Sequence, residues 1–216
     1  MNPRPETSPG PRLLGERYRL IDQIDRGGAG VVWRAHDERL GRDVAVKVIG
    51  AQADQAFRER FQQEARRAAK VSHPNVVAVY DEGQDGTDAF MVMEYVQGRT
   101  LRELIAERGP LPPDQAARVV RQVASALDAA HAAGVVHLDV KPANVIVSDE
   151  GHAKLADFGV AAAAHGEEER ELVGTARYVA PERIEGGPPD PRSDVYGLGL
   201  VAYELLAGRP AYQGVE

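Results

Sequence analysis

The hydrophobic period of this chain changes once, near Gly98, and that change limits the possible folds more than any other feature. Before Gly98 apolar residues alternate at the two-residue period of strands; after it they recur every three or four residues, as on helix faces. Residues 18–24 and 31–36 flank the cluster Gly27-Gly28-Ala29-Gly30 and read as a hairpin. Residues 43–49 predict a third strand, in which Val44, Val46 and Val48 alternate with Ala45 and Lys47. Alternation puts Lys47 on the face opposite the three valines. One helix interrupts the strands: residues 54–71 are strong helix formers without Gly or Pro, and Phe57, Phe61, Ala65 and Ala68 recur at helical spacing. Two more strands are expected at 76–81 and 89–94.

Beyond Gly98, Pro112-Pro113-Asp114 suits a helix first turn, where Pro fits and Asp favours the positive end of the dipole. Ala116, Val119, Val120, Val123, Leu127 and Ala130 make one apolar stripe, and Gly134 closes that helix. Two short strands bracket the turn Asp149-Glu150-Gly151. Another apolar helix is expected over 193–206, ended by Gly208 and Pro210. Strands first and helices later predict an α+β fold. No internal repeat is visible.

Composition removes several classes. Cysteine is absent, which excludes disulfides, thiolate zinc sites and a cysteine nucleophile, and is compatible with a cytoplasmic location. A net charge of −7 argues against a general nucleic-acid binder, which needs a clustered basic surface. No apolar run in 1–216 is long enough to span a bilayer. Residues 1–12, rich in Pro and polar side chains, lack the apolar core of a signal peptide and read as a disordered leader. Gly is not at position 2, so the simple myristoylation signal is missing.

The chemistry concentrates in His137-Leu138-Asp139, Lys141, Asn144 and Asp157-Phe158-Gly159. Their spacing suits phosphate transfer. One carboxylate can orient an attacking hydroxyl, and a lysine can offset phosphate charge. An Asn and a second Asp are hard oxygen ligands of the kind Mg²⁺ takes beside substrate phosphates. Any one of these residues alone reads as an ordinary helix or turn residue. The glycine cluster alone reads as a hairpin turn, and Lys47 alone as a solvated charge.

With Ala45-Val46-Lys47 upstream and Ala180-Pro181-Glu182 downstream, the set resembles the protein kinase family over residues 13–216. Arg66-Arg67-Ala68-Ala69 before Ser72-His73-Pro74-Asn75, and Lys141-Pro142-Ala143-Asn144-Val145, resemble the bacterial, eukaryotic-like (Hanks-type) serine/threonine members. The resemblance implies a two-lobed fold, with a small, mostly antiparallel β lobe and one helix over 13–95. A larger helical lobe is implied over 96–216, with the connection at 94–98. It also implies transfer of the γ-phosphate of Mg-ATP to Ser or Thr hydroxyls of proteins, the chain itself among them. In that reading Asp139 orients the nucleophile and Lys141 stabilises charge. Lys47 contacts the α- and β-phosphates and pairs with Glu64, for which Glu59 is the competing partner. Asn144 and Asp157 hold Mg²⁺, or Mn²⁺ in its place. Ile24, Gly27, Gly28, Gly30, Val32, Ala45 and Ile146 border the nucleotide. Met93 stands at the back of its pocket, and the backbone of Glu94 and Val96 bonds the adenine. His137 and Phe158 are packing residues. Aminoglycoside-type kinases share the His-x-Asp…Asn loop. The strand lysine, Asp-Phe-Gly and the Gly174-Thr175…Ala180-Pro181-Glu182 segment together favour a protein substrate.

Three stretches depart from the family pattern. Asp25 stands where the family usually begins its glycine loop with Gly, and adds repulsion to triphosphate unless it points away. Leu138 replaces the Arg that in many members pairs with a phosphorylated activation loop. The corresponding loop here, 160–179, has no Ser or Thr before Thr175 and carries Glu167-Glu168-Glu169-Arg170-Glu171. Both features predict an enzyme not switched by phosphorylation of that loop; a merely solvated loop is the plainer account of the acid run. Finally, the sequence stops at Glu216, where the family continues with further helices, so the helical lobe is expected to be incomplete. Glu182 would then be a poorly compensated, partly buried charge. The apolar face around Val195, Leu198, Ala202 and Leu205 would need cover from a longer chain, a partner or a dimer. These departures keep a second reading open, a pseudokinase-like nucleotide-binding signalling module without turnover; the full catalytic set argues for the enzyme.

Overall fold

A computed structural model describes residues 12–27, 30–50, 53–158 and 176–212; the side chains of Glu64 and Ala176 are outside the described set. The expected leader, the acid run 167–171 and Thr175 also lie outside it.

Six antiparallel strands make the first lobe: β1 (Leu13–Leu14), β2 (Tyr18–Gly27), β3 (Gly30–Asp37), β4 (Arg42–Ile49), β5 (Val79–Asp85) and β6 (Asp88–Glu94), in the order β1-β2-β3-β4-β6-β5. The alternation read in β4 is real, and both of its faces are buried. Val44, Val46 and Val48 pack with Leu14, Tyr18, Leu20, Phe90 and Val92. Ala45 and Ile49 turn the other way, toward Phe61, Ala65, Met91 and Met93. Phe61 and Ala65 belong to α1 (Gln55–Ala68), whose N-cap Asp54 accepts a bond from the Phe57 N–H at 2.6 Å. Lys47 shares the α1 side of β4.

The strand expected at 76–81 begins only at Val79. Val76 and Val77 are buried and β-branched, as in a strand, but their backbone partner is in the second lobe. Val76 bridges Leu155 in parallel, Val77 N–H donates to Leu155 O at 2.9 Å, and Leu155 N–H donates to Asn75 O at 2.8 Å.

The second lobe contains β7 (Arg99–Thr100), α2 (Leu101–Arg108), α3 (Pro113–Ala132), β8 (Val145–Val147), β9 (Ala153–Leu155), α4 (Pro181–Ile184) and α5 (Pro191–Ala207), with β7-β8-β9 as a small sheet. Helix α3 buries Ala116, Val119, Val123, Ala126, Leu127 and Ala130, against Leu198, Val201 and Leu205 of α5. No helix among the described residues is long and apolar enough to cross a membrane.

Two expectations about α5 and its neighbours are corrected. Glu182 is exposed, and its carboxylate accepts a bond from Ser193 Oγ at 2.8 Å, so water and a hydroxyl compensate it. Leu198 and Leu205 are buried rather than bare. The large apolar residues that α5 does expose are Val195, Tyr203 and Leu206.

Candidate active site

The loop that carries Asp139 is anchored from below by α5. Asp194, buried in that helix, accepts the N–H of His137 at 2.8 Å and of Leu138 at 2.7 Å, and lies 2.7 Å from His131 Nε2. These bonds hold Leu138 at φ 64°, a left-handed conformation that a branched side chain rarely adopts unaided. The His137 ring ties the loop to β9 on its other side. Nδ1 accepts the Asp139 N–H at 3.2 Å, so Nε2 carries the proton and donates to Ala156 O at 2.9 Å. The same ring packs on Phe158 with centroids 4.6 Å apart.

Asp139 itself is buried. Its Oδ2 takes both available donors, Lys141 Nζ at 2.7 Å and Asn144 Nδ2 at 2.8 Å. Its Oδ1 is buried with no hydrogen-bond partner among the described residues. A buried acceptor left open costs about 1–3 kcal/mol. Such an atom at the centre of an otherwise satisfied cluster is the place for a donor brought by a substrate.

Lys47 is 5% exposed, and its Nζ lies 3.1 Å from Asp157 Oδ1. The two come from positions 110 residues apart, on β4 and just past β9. Burial pushes the Asp157 carboxyl up, but the charge and hydrogen bond of Lys47, with smaller pulls from His137 and Lys141, together bring it below the ordinary carboxylate range. Asp157 sits at φ 58°. Asp157 is therefore the partner of Lys47 among the described residues. Glu59, the competing candidate, is exposed and bonded by Gln55 Nε2 at 2.9 Å, and the side chain of Glu64 lies outside the described residues.

The donor set fits a magnesium ion. Asn144 spends its Nδ2 on Asp139 and presents Oδ1 as an acceptor, while its main-chain carbonyl takes the Ala156 N–H at 2.8 Å, beside Asp157. Two protein oxygens make only part of a shell, as expected for an ion that keeps water and phosphate oxygens.

Of the residues expected around the nucleotide, Val32, Ala45, Met93 and Val96 meet in one cluster with Tyr95 and Ala156. Ala45 lies directly across from Met93. Behind Met93, a void of about 10 Å³ bounded by Ala68, Val77, Met91, Asp157 and Phe158 is too small for more than one water. Ile146 is in β8, across from Lys154. Ile24 is exposed on β2. Gly27 and Gly30 pair at the hairpin end, and Gly28 is outside the described residues. Gly30 has φ 125°, and a Cβ there would stand 2.4 Å from Val48 O, so the sheet itself demands this glycine. Asp25 is exposed, with Oδ1 accepting its neighbour's Arg26 N–H at 2.8 Å.

The sequence reading missed Asp194 and Lys154. An acid in the first turn of a largely apolar helix was a visible signal for the first. Lys154 carried none, because its partner Glu94 is 60 residues away: Nζ is 2.9 Å from Glu94 Oε1. A separate cleft of about 660 Å³ borders this pair, with Asp43, Asn75, Gln97 and His152 in its wall.

Residues 18–216 match the family model described as protein kinase domain. The serine/threonine-protein kinase PknL of Mycobacterium bovis is 48% identical over 207 residues, which cover 94% of this chain and 52% of the relative. PknL of Mycobacterium tuberculosis is 47% identical with the same coverage. The serine/threonine-protein kinase PknB of Mycobacterium leprae is 44% identical over 94% of this chain and 34% of its own length. The chain thus spans about half the length of the PknL relatives.

Proposed function

From the premise that this chain belongs to the protein kinase domain family, we propose that it is a serine/threonine protein kinase that uses Mg-ATP. The observation that carries the reading is the open Oδ1 of Asp139 beside a fully engaged Oδ2. A Ser or Thr hydroxyl placed there has its proton directed at Asp139 Oδ1 and its oxygen at the γ-phosphorus. The new P–O bond forms as the bond to the β-phosphate oxygen breaks, ADP leaves, and the hydroxyl proton passes to Asp139.

Lys141, 2.7 Å from Asp139, is within reach of the transferring phosphoryl group and offsets its charge. Lys47 serves the α- and β-phosphates, and its ion pair with Asp157 keeps the two side chains at one point of the cleft. Asn144 Oδ1 and Asp157 are the residues that would hold Mg²⁺, or Mn²⁺ with similar oxygen preference; the ion supplies charge neutralisation between phosphates. Val32, Ala45 and Met93 form the apolar wall for the adenine, next to the backbone of Glu94 and Val96. Gly27, Gly28 and Gly30 close over the phosphates. The acceptors are protein Ser and Thr residues, including those of the chain itself. Lys47, Asp139, Asn144 and Asp157 are all present, which leaves the binding-module reading without an observation in its favour.

The test is transfer of labelled γ-phosphate from Mg-ATP to the protein and to a generic basic protein, beside Asp139→Asn. Loss of the open acceptor should lower turnover by about 10²–10⁴-fold, the usual worth of a positioned base, with nucleotide affinity preserved. Equal labelling by the variant would sink the assignment of Asp139.

A further inference from the structure

The two lobes are joined at the back of the cleft by an ion pair that no motif contains. Glu94, the last residue of β6, is bonded to Ala78 in both directions: its N–H donates to Ala78 O at 2.8 Å, and its Oε2 accepts the Ala78 N–H at 3.3 Å. Glu94 and Ala78 therefore move as one node of the first lobe. Lys154 belongs to β9 of the second lobe, three residues before Asp157, with its neighbours Ala153 and Leu155 fully buried. Its ammonium lies 2.9 and 3.0 Å from the two Glu94 oxygens and 3.5 Å from Val76 O. The side chains are only 22% and 26% exposed, so this is not a free surface pair. A rotation that opens the lobes about residues 95–98 and draws the Glu94–Ala78 node away from β9 stretches these bonds, together with the backbone bonds of Asn75 and Val77 to Leu155.

We propose that Lys154 is a positioning residue that latches the connecting segment from behind, limits lobe opening, and so slows release of nucleotide; the release part rests on the kinase reading above. The cleft beside the pair admits water and ions, which makes the latch sensitive to salt as well as to mutation.

Dissociation of a fluorescent ADP analogue, followed by stopped flow, reads the release. Loss of a partly exposed ion pair should speed it about two- to fivefold in Lys154→Met and equally in Glu94→Gln. The double variant should be no faster than either single one, and the unmodified protein, unlike these three variants, should release faster as salt rises. Exchanging the charges, Glu94→Lys with Lys154→Glu, should restore slow release. An unchanged rate in Lys154→Met, or effects that multiply in the double variant, overturns the proposal.

Lobe opening is read independently of nucleotide. The chain has no cysteine, so Arg39→Cys and Ala124→Cys, both at exposed positions, place one spin label on each lobe. Lys154→Met should extend the measured distance distribution to longer separations, and an unchanged distribution overturns the latch. If the unmodified protein binds no ADP analogue, the kinase reading fails, while the distance distribution still decides the latch.

Discussion

Asn144 holds Asp139 at two points, its side-chain amide lying 2.8 Å from both the main-chain carbonyl and Oδ2 of Asp139. One side chain thus sets the direction of Asp139 and keeps its oxygen for the metal proposed above. Asn144→Ala removes both. Turnover should fall by about 10²-fold or more, the scale of losing one preorganised polar group at a reaction centre, and the Mg²⁺ concentration for half-maximal rate should rise. A Mg²⁺ titration of the variant checks both. A lower rate at an unchanged Mg²⁺ requirement would restrict Asn144 to tethering the loop.

Lys47 is the cation that holds the Asp157 carboxyl down. In Lys47→Met the carboxyl loses that pull, and the phosphates lose the contact proposed for them on β4. The expected outcome is a kcat/KM for ATP lower by about 10²–10³-fold, with a higher KM. Steady-state kinetics over a range of ATP decide it; a loss smaller than about tenfold would mean that Lys47 serves packing rather than phosphate.

Much of this was visible in the sequence where a period or a motif is local. The face of Lys47 followed from β4 alternation, and the β8–β9 turn from Asp149-Glu150-Gly151. Helix α2 went unread because its eight residues carry little amphipathic pattern. Its capping box was nevertheless in plain view: Thr100 and Glu103 exchange bonds of 3.2 and 2.8 Å. What sequence could not show was pairing across the chain. Val76 and Val77 have strand-like side chains, yet their partner is Leu155, and only folding reveals that. The sequence offered Lys47 carboxylates on α1, and nothing local in it pointed to Asp157, which reaches Lys47 from the other lobe. Glu182 was expected to lack a partner, but α5 brings Ser193 to it.

Asp37 gives the first lobe an acid-sensitive joint. Arg17 forks onto it with two bonds of 2.8 Å, and the N–H groups of Arg39 and Leu40 donate to Oδ1 at 3.1 and 3.2 Å. The Arg17 bond outweighs burial and holds the carboxyl at about 2, against an ordinary 3.8. In the unfolded chain Asp37 takes up its proton first as pH falls. Its contribution is therefore complete above an ordinary carboxyl pKa and is lost as pH drops from about 4 toward 2. At pH 7, Asp37→Asn should cost roughly 1–3 kcal/mol, as for a buried hydrogen-bonded group. The gap between the urea midpoints of the two proteins should narrow from pH 7 through 4 to 3; a constant gap would contradict this account.

Gly98 lets the connecting segment lie directly on β8. A Cβ there would stand 2.3 Å from Val147 O, 2.8 Å from Val147 C and 3.0 Å from Ser148 Cα. All three are backbone atoms, so no side chain can swing aside, and Gly98→Ala must displace the segment that carries Val96. Overpacking of this kind costs about 1–3 kcal/mol. For a chain of this size each kcal/mol moves Tm by roughly 2–4 °C. Gly199 is the control: it lies in α5 with open space around its Cβ position. Gly199→Ala should be neutral or stabilising by up to about 1 kcal/mol. Thermal unfolding of the two variants separates close approach from a general preference for glycine. The KM for ATP should rise in Gly98→Ala and stay put in Gly199→Ala, because only the first shifts the backbone proposed to meet the adenine.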